Sequence, residues 1–314
     1  MTAPTTGLEL VKPNAPPRAT PGFLRQVLGR KAGLVGVLIL LAFAVLAVIP
    51  DLLVGPLQTV VNATGDRLES PSAAHLLGTD ESGRDILNLT VHGTRIAMVI
   101  GLLATVITVV LGGVIGVISG FVGGWLDTIL MRISDFFLVL PTFVLALILT
   151  SMIRELLGSG AREIFGIRFG LIAIVIVIGI TSWSSTARII RAQTLSLKER
   201  AFVDRARVIG AGNLHIMVRH ILPNVVNLIV ANAVLVFAGA VLTETTLSFI
   251  GLGDPFQPSW GQILNAAETA GAAGLGAWWY FLPAGACIVL VVLAFTMVGT
   301  AIDDVLNPRQ RSRR

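Results

Sequence analysis

LSLKERAFVDRARVIGAGNLHIMVRHILPN, residues 195–224, is a charged stretch set between two apolar runs. Gly170 to Thr186 before it and Ile221 to Leu242 at its end carry no charge. Each run is roughly long enough to cross a hydrocarbon core of about 30 Å. A segment this rich in Arg, Lys, Asp and Glu cannot lie in that core, so it forms a water-facing handle beside a membrane. Within it, Leu195 to Ile209 predicts a helix of roughly 20 Å at 1.5 Å per residue, with Ala201, Phe202, Ala206 and Ile209 near one face. Gly210 is expected to stop that helix, because the left-handed conformation after a last turn costs Gly little. Asn213 is expected to cap the next one. The local reading is helix, tight turn, helix.

The rest of the composition agrees. The chain has 314 residues, 54% hydrophobic and 13% charged, with a mean hydropathy of +0.84, whereas soluble domains carry about a quarter charged residues. It reads as an all-α integral membrane protein. Cys287 is the one cysteine, which excludes an intrachain disulfide or a cysteine metal site. The net charge of +5 does not point to nucleic acid, because the basic residues are not gathered on one domain.

Six spans are expected: Ala32 to Pro50, Ile96 to Gly120, Ile129 to Ile153, Phe169 to Ala187, Ile221 to Thr243 and Trp278 to Ile302. The first is too long, and too far from the start, for a secretory signal. Pro141 lies inside the third, where neighbouring helices can satisfy the freed backbone groups. Gly112, Gly113, Gly116 and Gly120 in the second predict close helix packing. Residues 1–22 are expected to be a solvated tail and 310–314 a basic one. Residues 23–94 hold the first span and a long polar connection, and residues 95–309 hold a core of five spans. With the N-terminus inside, only Arg67, Arg84, Arg95, Arg154, Arg162 and Arg168 of the 23 basic residues fall outside. The positive-inside rule therefore places both termini and the handle in the cytoplasm. Trp260, Trp278, Trp279 and Tyr280 are expected as anchors at the outer interface.

Asp204, Arg205, Ala206, Gly210, Leu222 and Pro223 fall at spacings that resemble the EAA loop of bacterial ABC importer permeases. Arg205 stands where that pattern has its first Ala, and Arg219-His220-Ile221-Leu222-Pro223 resembles the peptide class. Three further stretches are similar to the second permease subunit of dipeptide, oligopeptide and nickel importers. They are HLLGTDESGRD (75–85) with Gly93-Thr94-Arg95-Ile96, ETTLSFIGLG (244–253) with Pro258 to Gly261, and LNPR (306–309), where Asn307 departs from the usual Asp.

The resemblance implies a type I bundle of six helices with a cytoplasmic coupling helix. It implies a homologous second permease as partner, two ABC ATPase subunits, an extracytoplasmic substrate-binding protein and a bacterial inner membrane. On it, Glu199, Phe202, Asp204, Arg205, Ala206, Gly210 and Pro223 become ATPase-coupling candidates, with Phe202 as the apolar knob. Asp80, Glu81, Arg84 and Asp85 become docking candidates on the outer side.

Against docking stands a local reading, since Ser82 and Asp85 match a capping box before Ile86. The same carboxylates lack the spacing of a calcium loop. Ionisable groups within a span cost about 2.5–3.5 kcal/mol on insertion scales. Asp135 and Glu244 are therefore candidates for a water-lined path, or else an interfacial residue and one emerging into outer solvent. The three lysines are in no GxxxxGK[ST] loop, so ATP and Mg belong on partner subunits and this chain is expected to be no enzyme. Peptides lead as cargo. Nickel or another small solute, a gradient-driven transporter using Asp135 and Glu244, and an accessory scaffold are the alternatives.

Overall fold

The computed structural model describes residues 23–157, 163–164, 167–254 and 257–306. Both tails, Arg162 and most of the LNPR motif lie outside them. Among the described residues the fold is all-helical apart from a two-residue antiparallel pairing of Glu163–Ile164 with Ile167–Arg168.

Five helices are long and apolar enough to span: α2 (Lys31–Val48), α4 (Ile86–Val122), α7 (Phe169–Lys198), α10 (Leu222–Leu247) and α12 (Trp278–Leu306). Short α1 (Phe23–Leu28) precedes them and α3 (Pro50–Val54) follows α2. The sixth expected span is not one helix. It is α5 (Gly124–Val139) and α6 (Thr142–Leu157), bent by 90°. Pro141 causes the break, because its ring forces the preceding residue out of the helical region; Leu140 sits at φ −75°, ψ 132°. Six spans are reached only by counting this pair as one.

Helix α4 begins ten residues before the expected Ile96, since the polar connection ends at a capped helix start. Its 37 residues measure roughly 55 Å, so it projects beyond the hydrocarbon. Against it lies α7, also extended, running eleven residues past Ala187 into the handle.

Small residues let the two backbones meet. A Cβ on Gly112 would lie 2.6 Å from Thr186 Cβ, on Gly116 2.6 Å from Ala187 O, and on Gly120 2.8 Å from Thr194 Cβ. In lipid, where apolar burial alone gives no drive, such close approach supplies the dispersion that holds helices together. Gly113 is different: it faces α10, and its Cβ would meet only Ile229 Cδ1, at 3.6 Å.

The end of the bundle away from the handle is a cap. Between α10 and α12 lies a further helix, α11 (Trp260–Thr269). Trp260 and Tyr280, expected as interfacial anchors, are instead core residues; Trp260 Nε1 donates to Thr90 O at 3.1 Å. Of the four aromatics only Trp278 is well exposed. Arg95 caps the C-terminus of α2, donating to Ala47 O at 2.9 Å and Val48 O at 3.0 Å, as a cation at a helix C-terminus should.

Candidate functional site

The handle is a hook that folds back on the bundle. Its first helix is not continuous from Leu195. Helix α7 ends at Lys198, Glu199 and Arg200 form a break, and α8 (Ala201–Val208) follows. Helix α8 then closes in a Schellman motif. Gly210 has φ +85°, Gly210 N donates to Arg207 O at 2.9 Å and Ala211 N to Ala206 O at 2.9 Å. The next short helix, α9 (Asn213–Ile216), has Gly212 rather than Asn213 at its N-cap. It passes through a π turn, Met217–Ile221, into α10, with Pro223 in the first turn where a missing N–H is tolerated.

Of the expected face, Ala201 and Ile209 are exposed and Phe202 is half-buried; the buried residues of α8 are Ala206, as expected, and Val203. These two join Val117 and Phe121 of α4, Ile190 and Leu197 of α7, and Ile216, Ile221 and Val225 in one apolar cluster. Phe202 is half-buried against this cluster, its ring 6.4 Å from that of His220. The side chains that project are Val208, 87% exposed, Ile209, 83%, and Leu214, 71%. Glu199, Asp204 and Arg205 are exposed around them, with Asp204 3.4 Å from Arg207. The hook therefore presents an apolar tip with a charged rim, on a base anchored to three long helices.

One turn inside that base lies a polar latch. Arg191 of α7 grips Asp127 of α5 through two bonds of 2.6 Å, Nε to Oδ1 and a terminal nitrogen to Oδ2. Ser119 of α4 donates to the same carboxylate. Bidentate charged pairs are both strong and directional. Beyond it, Lys198 and Arg207 each approach the Phe121 ring, at 5.9 Å from its centroid.

The docking candidates at the opposite end are engaged within the chain. Asp80 is fully buried and accepts from Ser82 N (2.8 Å), Arg84 N (2.9 Å) and Arg84 Nε (2.6 Å). Glu81 accepts from the Tyr280 hydroxyl. Asp85, not Ser82, caps α4, accepting from Leu87 N and Asn88 N, and it also contacts His75 Nδ1 at 3.0 Å. The HLLGTDESGRD stretch is thus a clip that ties the connecting loop to the starts of α4 and α12.

The two carboxylates expected within spans, Asp135 and Glu244, also have partners within the chain. Asp135 bonds Arg188 and lies 3.7 Å from Arg132. Glu244 does not emerge into solvent. It is 0% exposed, bonded by Ser248 at 2.7 Å and by Ser259. Ser248 also lines a cavity of about 480 Å³ at this end, shared with Gln58, Arg84, Gln262 and Tyr280. Among the described residues no cluster of three or more His, Cys, Asp or Glu could hold a metal.

Residues 112–312, from the glycine face of α4 through the hook to the C-terminal helix, match the model of the family described as "Binding-protein-dependent transport system inner membrane component". The chain belongs to that family. A permease protein of Brucella suis is 37% identical over 241 residues, 76% of this chain and 75% of its own length. The dipeptide transport system permease protein DppC of Alkalihalophilus pseudofirmus is 32% identical over 289 residues, 92% of this chain and 89% of its own. The oligopeptide transport system permease protein OppC of Lactococcus lactis subsp. cremoris is 35% identical over 254 residues, 81% and 82%. As a member of this family the chain is a multi-pass inner-membrane component of an ABC importer, and such systems include ATPase and substrate-binding partners.

Two parts of the site belong to no sequence motif. The projecting Val208 and Ile209 were legible as apolar residues at the water-facing end of a helix. The Asp127–Arg191 latch was legible as opposite charges near the ends of two spans, although no spacing rule joins residues 64 apart in sequence.

Proposed function

We propose that the chain is one permease subunit of an ATP-driven importer of dipeptides or oligopeptides. It pairs as a heterodimer with a homologous second permease, its termini and hook are cytoplasmic, and ATP and Mg bind on partner ATPase subunits. The observation that carries the proposal is the hook, an apolar tip of Val208 and Ile209 on a base packed into α4, α7 and α10. The peptide substrate is supported by the names of the relatives, and the orientation by the distribution of Lys and Arg.

In this reading the tip seats in a cleft of the ATPase. Burying a Val or Ile side chain contributes about 1.5–3 kcal/mol, so the pair is worth enough to fix the docked pose. Glu199, Asp204 and Arg205 set its register from the rim, Gly210 permits the turn, and Ala206 and Pro223 fix the hook to its own bundle. Phe202 is assigned to the anchoring cluster rather than to the tip. ATP binding closes the ATPase pair, the hook moves, and the long helices carry that displacement across the membrane. The bias comes from ATP through the partner, because a ligand shifts an equilibrium only by its differential affinity for the two states. Asp135 and Glu244 enter as carboxylates that tie elements together, Asp135 through Arg188 of α7 and Glu244 through Ser259 at the start of α11, and not as path groups.

The test is the double substitution Val208→Ser with Ile209→Ser in the assembled complex, read as uptake of a labelled dipeptide beside membrane abundance and ATPase co-purification. Uptake and co-purification are expected to fall at least about tenfold at unchanged abundance. Unchanged uptake at unchanged abundance refutes the docking role.

A further inference from the structure

The apolar surface facing lipid is mostly convex and calls for no explanation. Among the described residues two apolar parts are concave, a hollow of about 230 Å³ between α4 and α7 and a larger one at the hook. A groove of about 380 Å³ runs between α4 and the π turn leading into α10, walled by Val110, Val114, Leu214, Val218 and Leu222 and floored at Gly113. Its lining is wholly apolar. Gly113 is the glycine of the α4 series that no α7 contact requires, yet Gly within a helix is about 1 kcal/mol worse than Ala. What its missing side chain provides is depth.

The groove does not end blindly. At the hook it shares Leu214 and Val218 with a second crevice lined also by His215 and Arg219. Arg219 is exposed, lies four residues from His215 on one turn, and has no acidic residue within that turn. His215 and His220 stand with rings 5.8 Å apart, and Phe202 packs on His220 from α8. On α4, one turn beyond the groove wall at Val117, Lys198 and Arg207 flank Phe121. An apolar slot that opens into a cationic mouth at the membrane surface has the form of a phospholipid. Basic pockets between spans on the cytoplasmic side bind anionic head groups.

We infer that this groove is a site for one anionic phospholipid, with an acyl chain lying over Gly113 between Val114 and Leu222 and the phosphate at Arg219 and His215. The lipid wedges between α4 and the hook, so it holds the base of the coupling element against the bundle. The site rests on the proposed cytoplasmic position of the hook. Labelling of a cysteine at Arg219 from either side of the membrane tests that position separately.

The experiment is native mass spectrometry of the intact importer purified from membranes, then exchanged into phosphatidylglycerol or phosphatidylcholine nanodiscs. The wild type is expected to keep phosphatidylglycerol in preference to phosphatidylcholine. Arg219→Gln should weaken retention about fivefold, the effect of losing roughly 1 kcal/mol per basic residue at an anionic surface, without changing phosphatidylcholine. Gly113→Leu should abolish retention of both; should that variant fail to assemble, Val114→Phe narrows the same groove from its wall. Equal retention of the two lipids, or retention untouched by Arg219→Gln, overturns the site. So does efficient crosslinking of a cysteine at Val114 to the second permease, which would make a partner helix the occupant.

Discussion

Substituting Gly116 by Ala tests how tightly α4 and α7 are seated. The new methyl would lie 2.6 Å from Ala187 O, 2.8 Å from Ile190 Cβ and 3.1 Å from Arg191 N. Two of these three atoms belong to the main chain of α7 and cannot rotate aside. Since carbon contacts are favourable near 3.5–4.0 Å, the helices must part by on the order of 1 Å. Overpacking of this kind costs about 1–3 kcal/mol, offset by about 1 kcal/mol from the better helix propensity of Ala. The expected net loss is about 1–2 kcal/mol. Gly113→Ala is the matched control, three residues away on the same helix. Its methyl meets only Ile229 Cδ1 within the chain, at 3.6 Å, so in detergent that has stripped the lipid proposed for that groove the propensity gain stands alone and stability should rise by up to about 1 kcal/mol. Denaturant unfolding of the detergent-solubilised importer, followed for the two variants in parallel, gives opposite signs if the reasoning is sound. Shifts of the same sign and size would refute it.

Two further outcomes concern the polar ties. A double-mutant cycle of Asp127→Asn and Arg191→Gln should return a coupling of about 1–2 kcal/mol in the same unfolding assay, as expected for a bidentate charged pair that is 16% and 31% exposed; additive effects would show that the latch is not closed. Trp260→Phe keeps the ring in the cap but removes the donor to Thr90 O. It should cost about 1 kcal/mol while leaving uptake per assembled complex unchanged, and a loss of uptake at full assembly would show that the cap takes part in transport.

What the sequence could reveal followed from which forces act locally. Span positions were legible because the bilayer demands long uncharged runs, and α2, α10 and α12 lie close to their expected bounds. The hook's turn was legible because a Schellman motif needs a left-handed residue, and Gly210 supplies it. The structure differed where tertiary contacts decide. Helix α4 starts early because Asp85 caps it and the Asp80 clip shields that start from water. Trp260 and Tyr280 read as interfacial aromatics, yet each is itself buried and found a hydrogen-bond partner within the chain, Thr90 O and Glu81. Phe202 read as the knob because it is the largest apolar residue of the hook. The apolar cluster under α8 and the His220 ring claimed it for the base, which left the tip to the β-branched pair beyond.

The same contacts say how motion at the hook would travel. The hook is continuous with α7 on one side, through the break at Glu199–Arg200, and with α10 on the other, through the π turn at Met217–Ile221. Displacing the tip therefore drives two rods at once, and their shared cluster of Ile190, Leu197, Ile221 and Val225 keeps them from sliding independently. At the far end the rods meet again. Gly170, at the start of α7, lies beside Asp254, the position of a Cβ there being 3.8 Å from a carboxylate oxygen. Helix α10 carries Glu244 in its last turn and ends at Leu247 with Ser248 as its C-cap, just before Gly251 at φ +85° bends the chain toward that same Asp254. Both driven helices thus converge on residues 244–254, which border the 480 Å³ cavity. In the proposed docking, a push at residues 208–209 would be delivered there by elements whose ends are already joined.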